Sequence, residues 1–135
     1  MSSEDASSLL RTAFRANGIF SGFSGLVMLV ADGLVAAILN TFDAVGEIRF
    51  VGLNLIVFAA FLFWLAKRDE ISTGLAWAVI AADLVWVFGS WIAILGGATQ
   101  GQGTWAVAIV ADIVLLFAIV QYVGLRRVQK SATPA

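Results

Sequence analysis

Three aspartates lie deep inside apolar stretches of this 135-residue chain, and they are the residues best suited to chemistry. Asp32, Asp83 and Asp112 each interrupt a run of apolar and small residues, and Asn54 interrupts a further run. A charged side chain at the centre of a membrane helix costs about 2.5–3.5 kcal/mol on insertion scales. Such carboxyl groups must therefore face inward, pair with a partner or stay protonated. A polar core built from them would bind a cation, relay protons or hold the cationic end of a ligand.

Helical periodicity groups these residues with other polar and small side chains. At about 100° per residue, Asn17 and Asp32 share one stripe of the first apolar segment, and Asp83 and Ser90 share one stripe of the third. The alternative interpretation is that the same side chains are hydrogen-bonded or protonated packing residues between helices. The sequence leaves both interpretations open for a candidate polar core made of Asp83, Asp112, Asp32, Asn54, Asn17 and Ser90.

Four apolar segments must position these residues. The chain is 61% hydrophobic and only 13% charged, whereas a soluble domain carries roughly 25% charged residues. Segments of about 20 apolar residues cross a bilayer as helices, and they are too long for barrel strands. The sequence predicts an all-α fold, a single membrane domain over residues 1–135 with short polar tails and the lipid bilayer as its surroundings. We predict the spans at about 17–39, 50–66, 73–97 and 104–125.

The positive charges predict the orientation of this antiparallel four-helix bundle. With four spans, Arg49 alone falls on one side of the membrane and seven cationic residues fall on the other. Excess Lys and Arg mark the cytoplasmic side. Both termini should therefore be cytoplasmic, beside Arg11, Arg15, Lys67, Arg68, Arg126, Arg127 and Lys130.

Small residues in the first span predict close helix packing. Gly18 and Gly22 form a small-xxx-small pair, and Gly25 lies on the stripe of Asn17. Small residues of this kind let membrane helices approach closely. The first helix is therefore expected to contact partners on two sides.

Several classes of function are disfavoured by composition. The chain has no cysteine and no histidine, which removes thiol chemistry and the usual zinc and haem ligands, and we expect neither metal nor cofactor. No nucleophile–base pair can be assembled, so an enzyme is not expected. The net charge of −1 offers no basic face for nucleic acid.

Three short segments resemble small bacterial four-span membrane proteins of unknown function, which are similar to DoxX-like proteins in length and topology. They are RANxxFSxxSG at 15–25, DxxWVxGS at 83–90 and GLRR at 124–127. The resemblance covers most of the chain. It implies a four-helix bundle in a bacterial inner membrane and transfers no catalytic residue.

Two functions remain open. The first is a small transporter or channel, expected to be a homo-oligomer, that moves a cation, protons or a small solute past Asp83 and Asp112. The second is a non-catalytic accessory or scaffold subunit of a larger membrane complex, which would use its small-residue faces to bind a partner. Three aspartates near the middle of the membrane favour the first.

Overall fold

The computed structural model describes residues 3–132, and these residues form helices and no strands. The all-α prediction is confirmed. Four of the five α-helices, all except α2, are long and apolar enough to cross a membrane. A single 3-10 turn, Phe42–Ala44, separates α2 from α3. The α-helices are α1 Ser3–Val30, α2 Asp32–Leu39, α3 Val45–Lys67, α4 Thr73–Leu95 and α5 Gln102–Ala132.

The four long helices form an antiparallel bundle with one loosely closed side. Helix α1 packs against both α3 and α5, and α4 packs against α5. In contrast, no Cα atom of α3 lies within 8 Å of a Cα atom of α4. The short α2 covers one end of the bundle, where it packs against α3 and α5. The bundle is therefore closed on three sides and splayed between α3 and α4.

The small residues of the first span form the interface between α1 and α3. A Cβ atom on Gly18 would lie 3.1 Å from the Phe63 ring, and one on Gly22 would lie 3.4 Å from the Ala59 Cβ atom. A Cβ atom on Gly25 would lie only 2.6 Å from the Gly52 carbonyl oxygen. All three glycines therefore pack against α3 of the same chain, so this face of α1 is not available to another protein.

The first helix begins well before the predicted span. The sequence predicts a polar tail before residue 17, but α1 begins at Ser3. Ala6, Leu10, Ala13 and Phe14 are buried, because their spacing places them on one face of a helix. Helix α5 likewise continues past residue 125 to Ala132. The predicted tails are therefore partly amphipathic helix ends.

The first predicted span, 17–39, is not one straight helix. Ala31 has φ −118° and ψ 40°, outside the helical region, so α1 ends at Val30 and α2 begins at Asp32. Helix α2 ends at Leu39 and is capped by Asn40, which adopts a left-handed conformation with φ 59°. Asparagine tolerates this conformation better than most residues. The break places Asp32 at the start of a separate short helix.

An apolar layer closes the end of the bundle that carries both described chain ends. We call it the terminal layer. At this end α1 and α5 touch closely, since a Cβ atom on Gly124 would lie 2.9 Å from the Leu10 Cα atom. The buried residues of the layer are Leu10, Phe14, Leu62, Leu65, Ala66, Ala76, Val79, Ile80 and Leu125.

Arg11 ties α1 to the end of α3 beside this layer. Its guanidinium group donates hydrogen bonds to the carbonyl oxygens of Ala66 (2.8 Å), Arg68 and Asp69 (2.9 Å), and to Ser7 Oγ (3.0 Å). The last carbonyls of a helix lack intrahelical partners, so this side chain satisfies groups that would otherwise need water.

Arg11→Ala is expected to lower the free energy of unfolding by about 2 kcal/mol, because hydrogen bonds from a charged donor are among the stronger ones. Denaturant titration in mixed micelles measures the change. Arg15 lies on the exposed side of the same helix, and Arg15→Ala should change stability by less than about 0.5 kcal/mol. Equal losses in the two variants would contradict the bridging role of Arg11.

Candidate functional site

Four buried polar side chains meet inside the bundle, on the cavity side of the terminal layer. Asn17 Nδ2 donates to Asp83 Oδ2 and to Gln121 Oε1, each at 2.9 Å. Gln121 Nε2 donates to Asp83 Oδ2 at 2.8 Å, and Ser21 Oγ donates to Asn17 Oδ1 at 3.0 Å. None of the four is more than 6% exposed. We call Asn17, Ser21, Asp83 and Gln121 the carboxyl–amide cluster.

Three helices supply this cluster. Asn17 and Ser21 are one turn apart on α1, Asp83 lies on α4 and Gln121 lies on α5. The Asn17–Asp83 hydrogen bond joins α1 and α4, although the Cα atoms of these two helices stay more than 8 Å apart. The cluster therefore fixes the relative positions of helices that backbone packing alone does not bring together.

The two oxygens of Asp83 have different surroundings. Oδ2 accepts both amide hydrogen bonds. Oδ1 accepts no hydrogen bond from the described residues. Every buried side-chain oxygen among these residues has a hydrogen-bond partner, so Oδ1 is not buried and must be accessible. Asp83 lines a cavity, and we infer that Oδ1 is reached from there. A proton on this carboxyl group must be carried by Oδ1, because Oδ2 already faces two N–H groups.

The cavity has a volume of about 370 Å³ and is bounded by all four long helices. This is the size of a small-molecule pocket. Along α1 it extends from Asn17 to Met28, which is about 16 Å at 1.5 Å per residue. Its wall is mostly apolar and aromatic: Phe20, Met28, Phe50, Val51, Leu55, Phe58, Trp86, Val110 and Val114.

The cavity opens sideways between α3 and α4. Its exposed lining residues are Phe50 and Asn54 of α3 and Ala82 of α4, whereas the lining residues of α1 and α5 are buried or half-buried. This opening coincides with the splayed side of the bundle. A molecule dissolved among lipid chains would therefore reach Asp83 without crossing the terminal layer.

No cationic side chain within the part of the chain that the structure describes neutralises Asp83. Its hydrogen-bond partners within residues 3–132 are two uncharged amides. Arg49 forms a salt bridge with Asp32, not with Asp83. An unpaired buried charge is costly, so a buried carboxylate needs a counter-charge or a proton. The site can therefore hold either a proton or a cation at Oδ1.

The structure brings together only some of the predicted core residues. Asn17 and Asp83 meet directly, as their two stripes predict. Asn54 lies at the cavity mouth, where its side-chain amide donates to the Phe50 carbonyl oxygen at 2.8 Å. Ser90 donates to the Trp86 carbonyl oxygen at 2.7 Å and is not among the residues that line the cavity.

Asp112 does not join the cluster, contrary to the prediction that it converges with Asp83. It is exposed on the outer surface of α5. Gln121, which sequence reasoning missed, takes its place inside the bundle. The two residues are nine positions apart, and at about 100° per residue they point in roughly opposite directions. Only one of them can face inward.

Asp32 also lies outside the cluster, because the helix break carries it away from the cavity. Its carboxylate accepts hydrogen bonds from Arg49 Nε and from the Gly33 backbone N–H. The Arg49 guanidinium holds the pKa of Asp32 below its usual value of 3.8. The predicted intramembrane role of Asp32 is thus replaced by an ion pair that links the start of α2 to α3.

The Asp32–Arg49 pair predicts a pH-dependent stability. Because the folded-state pKa is lowered, the pair stabilises the fold above pH 3.8, and this contribution disappears as the pH falls through the lowered value. Asp32→Asn should therefore unfold at a lower temperature than the unchanged protein at pH 7. The difference should shrink in high salt and vanish in strong acid. An equal difference at both pH values would contradict the ion-pair assignment.

Comparisons of the chain with protein-family models, with curated proteins and with solved structures give no match. The resemblance to DoxX-like proteins therefore stays a prediction.

Proposed function

We propose that this protein is a small transporter that binds a mainly apolar organic cation in its cavity and exchanges it for a proton at Asp83. The observation that carries the proposal is the asymmetry of the Asp83 carboxyl group. Two amides hold Oδ2, and Oδ1 is accessible from an apolar cavity without any cationic side chain. Proton and ligand would compete for the same oxygen.

The wall of the cavity favours an organic cation over a metal ion. Hard metal ions such as Mg²⁺ and Ca²⁺ require about six oxygen ligands. Within residues 3–132 no group of three acidic side chains lies together to supply them. Aromatic faces attract cations, and Phe20, Phe58 and Trp86 line the same cavity as Asp83. A small amine or quaternary ammonium group with an apolar body fits this combination.

The distribution of charge supports the orientation in the membrane. Arg11 contacts the connection after α3, close to Lys67 and Arg68, and the last part of α5 adds further cations at the same end of the bundle. Arg49 lies at the other end, beside Asp32. We propose, from the positive-inside rule, that the end bearing both termini faces the cytoplasm of a bacterium and that the protein lies in its inner membrane.

Binding of benzyltrimethylammonium to the purified protein in lipid nanodiscs tests the proposal. We expect saturable binding that weakens as the pH is lowered, and release of up to one proton per cation bound. Neopentylbenzene, which has the same shape with carbon in place of the charged nitrogen, should bind more weakly and show no pH dependence.

Equal binding of the two probes at every pH would contradict a role for the Asp83 charge. The scaffold alternative predicts that outcome, because an accessory subunit needs no cation site. The scaffold alternative would use Gly18 and Gly22 to bind a partner protein. The packing of both glycines against α3 of the same chain counts against this use.

A further inference from the structure

Asp112 presents a carboxyl group on the outside of a helix that is long and apolar enough to cross a membrane. It lies on α5 about 15 Å from Gln102, measured along the helix, and its side chain is exposed. Intramembrane carboxyl groups almost always face a protein interior or a water-filled space, because lipid chains offer no hydrogen bonds. A partner for this group must therefore come from outside the described chain.

The exposed residues around Asp112 have a spacing that is compatible with helix pairing. The exposed faces of α3 and α4 share this spacing, and the face of α5 differs in carrying an acidic residue within it. Successive members are separated alternately by four and three residues, which is the 3.5-residue repeat of a left-handed helix pair. A single polar residue inside such a seam commonly sets the register and number of helices. We call this set the α5 seam; it consists of Trp105, Ile109, Asp112, Leu116, Ile119 and Val123, all exposed.

We propose that the α5 seam binds the α5 seam of a second copy of this chain, and that the two Asp112 carboxyl groups hydrogen-bond to each other, with at least one of them carrying the proton that is shared. In a membrane, copies with the same orientation are related by an axis along the membrane normal. Such an axis places identical residues at the same depth. A second copy therefore supplies a hydrogen-bonding group at the depth of Asp112 by symmetry, whereas an unrelated helix would need a matching polar residue there.

The pairing is compatible with the cavity in each copy. Gln121 and Asp83 lie on the inner side of the bundle, and the α5 seam lies on the outer side of α5. No Cα atom of α5 lies within 8 Å of a Cα atom of α3, and the cavity opens between α3 and α4. The dimer would therefore leave both cavity mouths open to lipid.

Cysteine crosslinking of the purified protein in liposomes tests this interface, because the chain has no cysteine of its own. Ile109→Cys and Leu116→Cys should each form a disulfide-linked dimer on oxidation. The matched controls are Leu53→Cys and Val57→Cys on α3, which are similarly exposed and lie at similar distances from the same end of the bundle. The controls should crosslink at least tenfold less.

A second measurement assigns the role of Asp112. In the Ile109→Cys background, Asp112→Leu should reduce the crosslinked fraction at least tenfold at high lipid dilution, whereas Asp112→Asn should retain it, because two amides can also hydrogen-bond to each other. Crosslinking at the α3 positions equal to that on α5 would overturn the proposal. So would a monomeric protein, or equal crosslinking of the Leu and Asn variants.

Discussion

Asp83→Asn is expected to weaken binding of benzyltrimethylammonium by about 100-fold, equivalent to about 2.7 kcal/mol, and to abolish its pH dependence. An asparagine at this position keeps one oxygen to accept the hydrogen bonds from Asn17 and Gln121. Its NH₂ group must then take the place of Oδ1 beside the cavity. A carboxyl oxygen that can carry negative charge is thereby replaced by a neutral hydrogen-bond donor, while the cluster can remain intact.

The matched control for this variant is Asp112→Asn. It makes the same chemical change in another membrane-spanning helix, but on the outer surface of α5 and away from the cavity. Its affinity for the probe should stay within about twofold of that of the unchanged protein. Isothermal titration in nanodiscs between pH 5 and pH 9, roughly the range in which a perturbed carboxyl group can titrate, measures both variants. A loss of equal size in the two variants would mean that Asp83 is not the binding group.

Gly25→Ala is expected to lower the free energy of unfolding by about 3 kcal/mol, the upper end of the usual cost of overpacking. The added Cβ atom would lie 2.6 Å from the Gly52 carbonyl oxygen and 2.9 Å from Ile56 Cγ1. The carbonyl oxygen belongs to a helix backbone and cannot rotate away. The α1 and α3 helices must therefore separate.

Gly89→Ala is the control for this second prediction. Gly89 lies within α4, and apart from its chain neighbours and the adjacent backbone of its own helix no atom lies within 4 Å of a Cβ atom built there. Alanine is the better helix former by up to about 1 kcal/mol, so this variant should be unchanged or slightly more stable. Denaturant titration in mixed micelles compares the two variants. Equal stabilities would show that α1 and α3 can move apart at little cost.

The apolar segments of the sequence predict the four long helices, because length and composition alone decide whether a helix can cross a membrane. The helix ends are less predictable. Ala6, Leu10 and Phe14 extend α1 by packing on other helices. Their spacing indicates a helix, but whether that helix continues into the span is hidden from the local sequence. The break at Ala31 is equally hidden, since alanine is a strong helix former and the Asp32–Arg49 pair joins residues that are distant in sequence.

The sequence predicted residues that α1 and α4 contribute to the site, but not the residue that α5 contributes. The stripe of Asn17 and that of Asp83 both face inward, and the two side chains meet. On α5 two polar residues lie on opposite faces, and the prediction followed Asp112, whose burial in a membrane is the more expensive. The better signal was the run of mostly small residues on the other face, Ala111, Val114, Ala118, Gln121 and Gly124, all of which are buried.

The terminal layer closes the cavity at the end of the bundle that carries the chain ends. A cation that enters between α3 and α4 reaches Asp83 and meets a wall in which Leu10, Phe14 and Leu125 are fully buried. Under the proposed function, this conformation would exchange its ligand only with the surrounding lipid, so vesicles would bind probe in proportion to the number of chains without accumulating it inside. Net movement under the proposed function would therefore require a second conformation in which this wall parts, and the rate of that opening would set an upper limit on turnover.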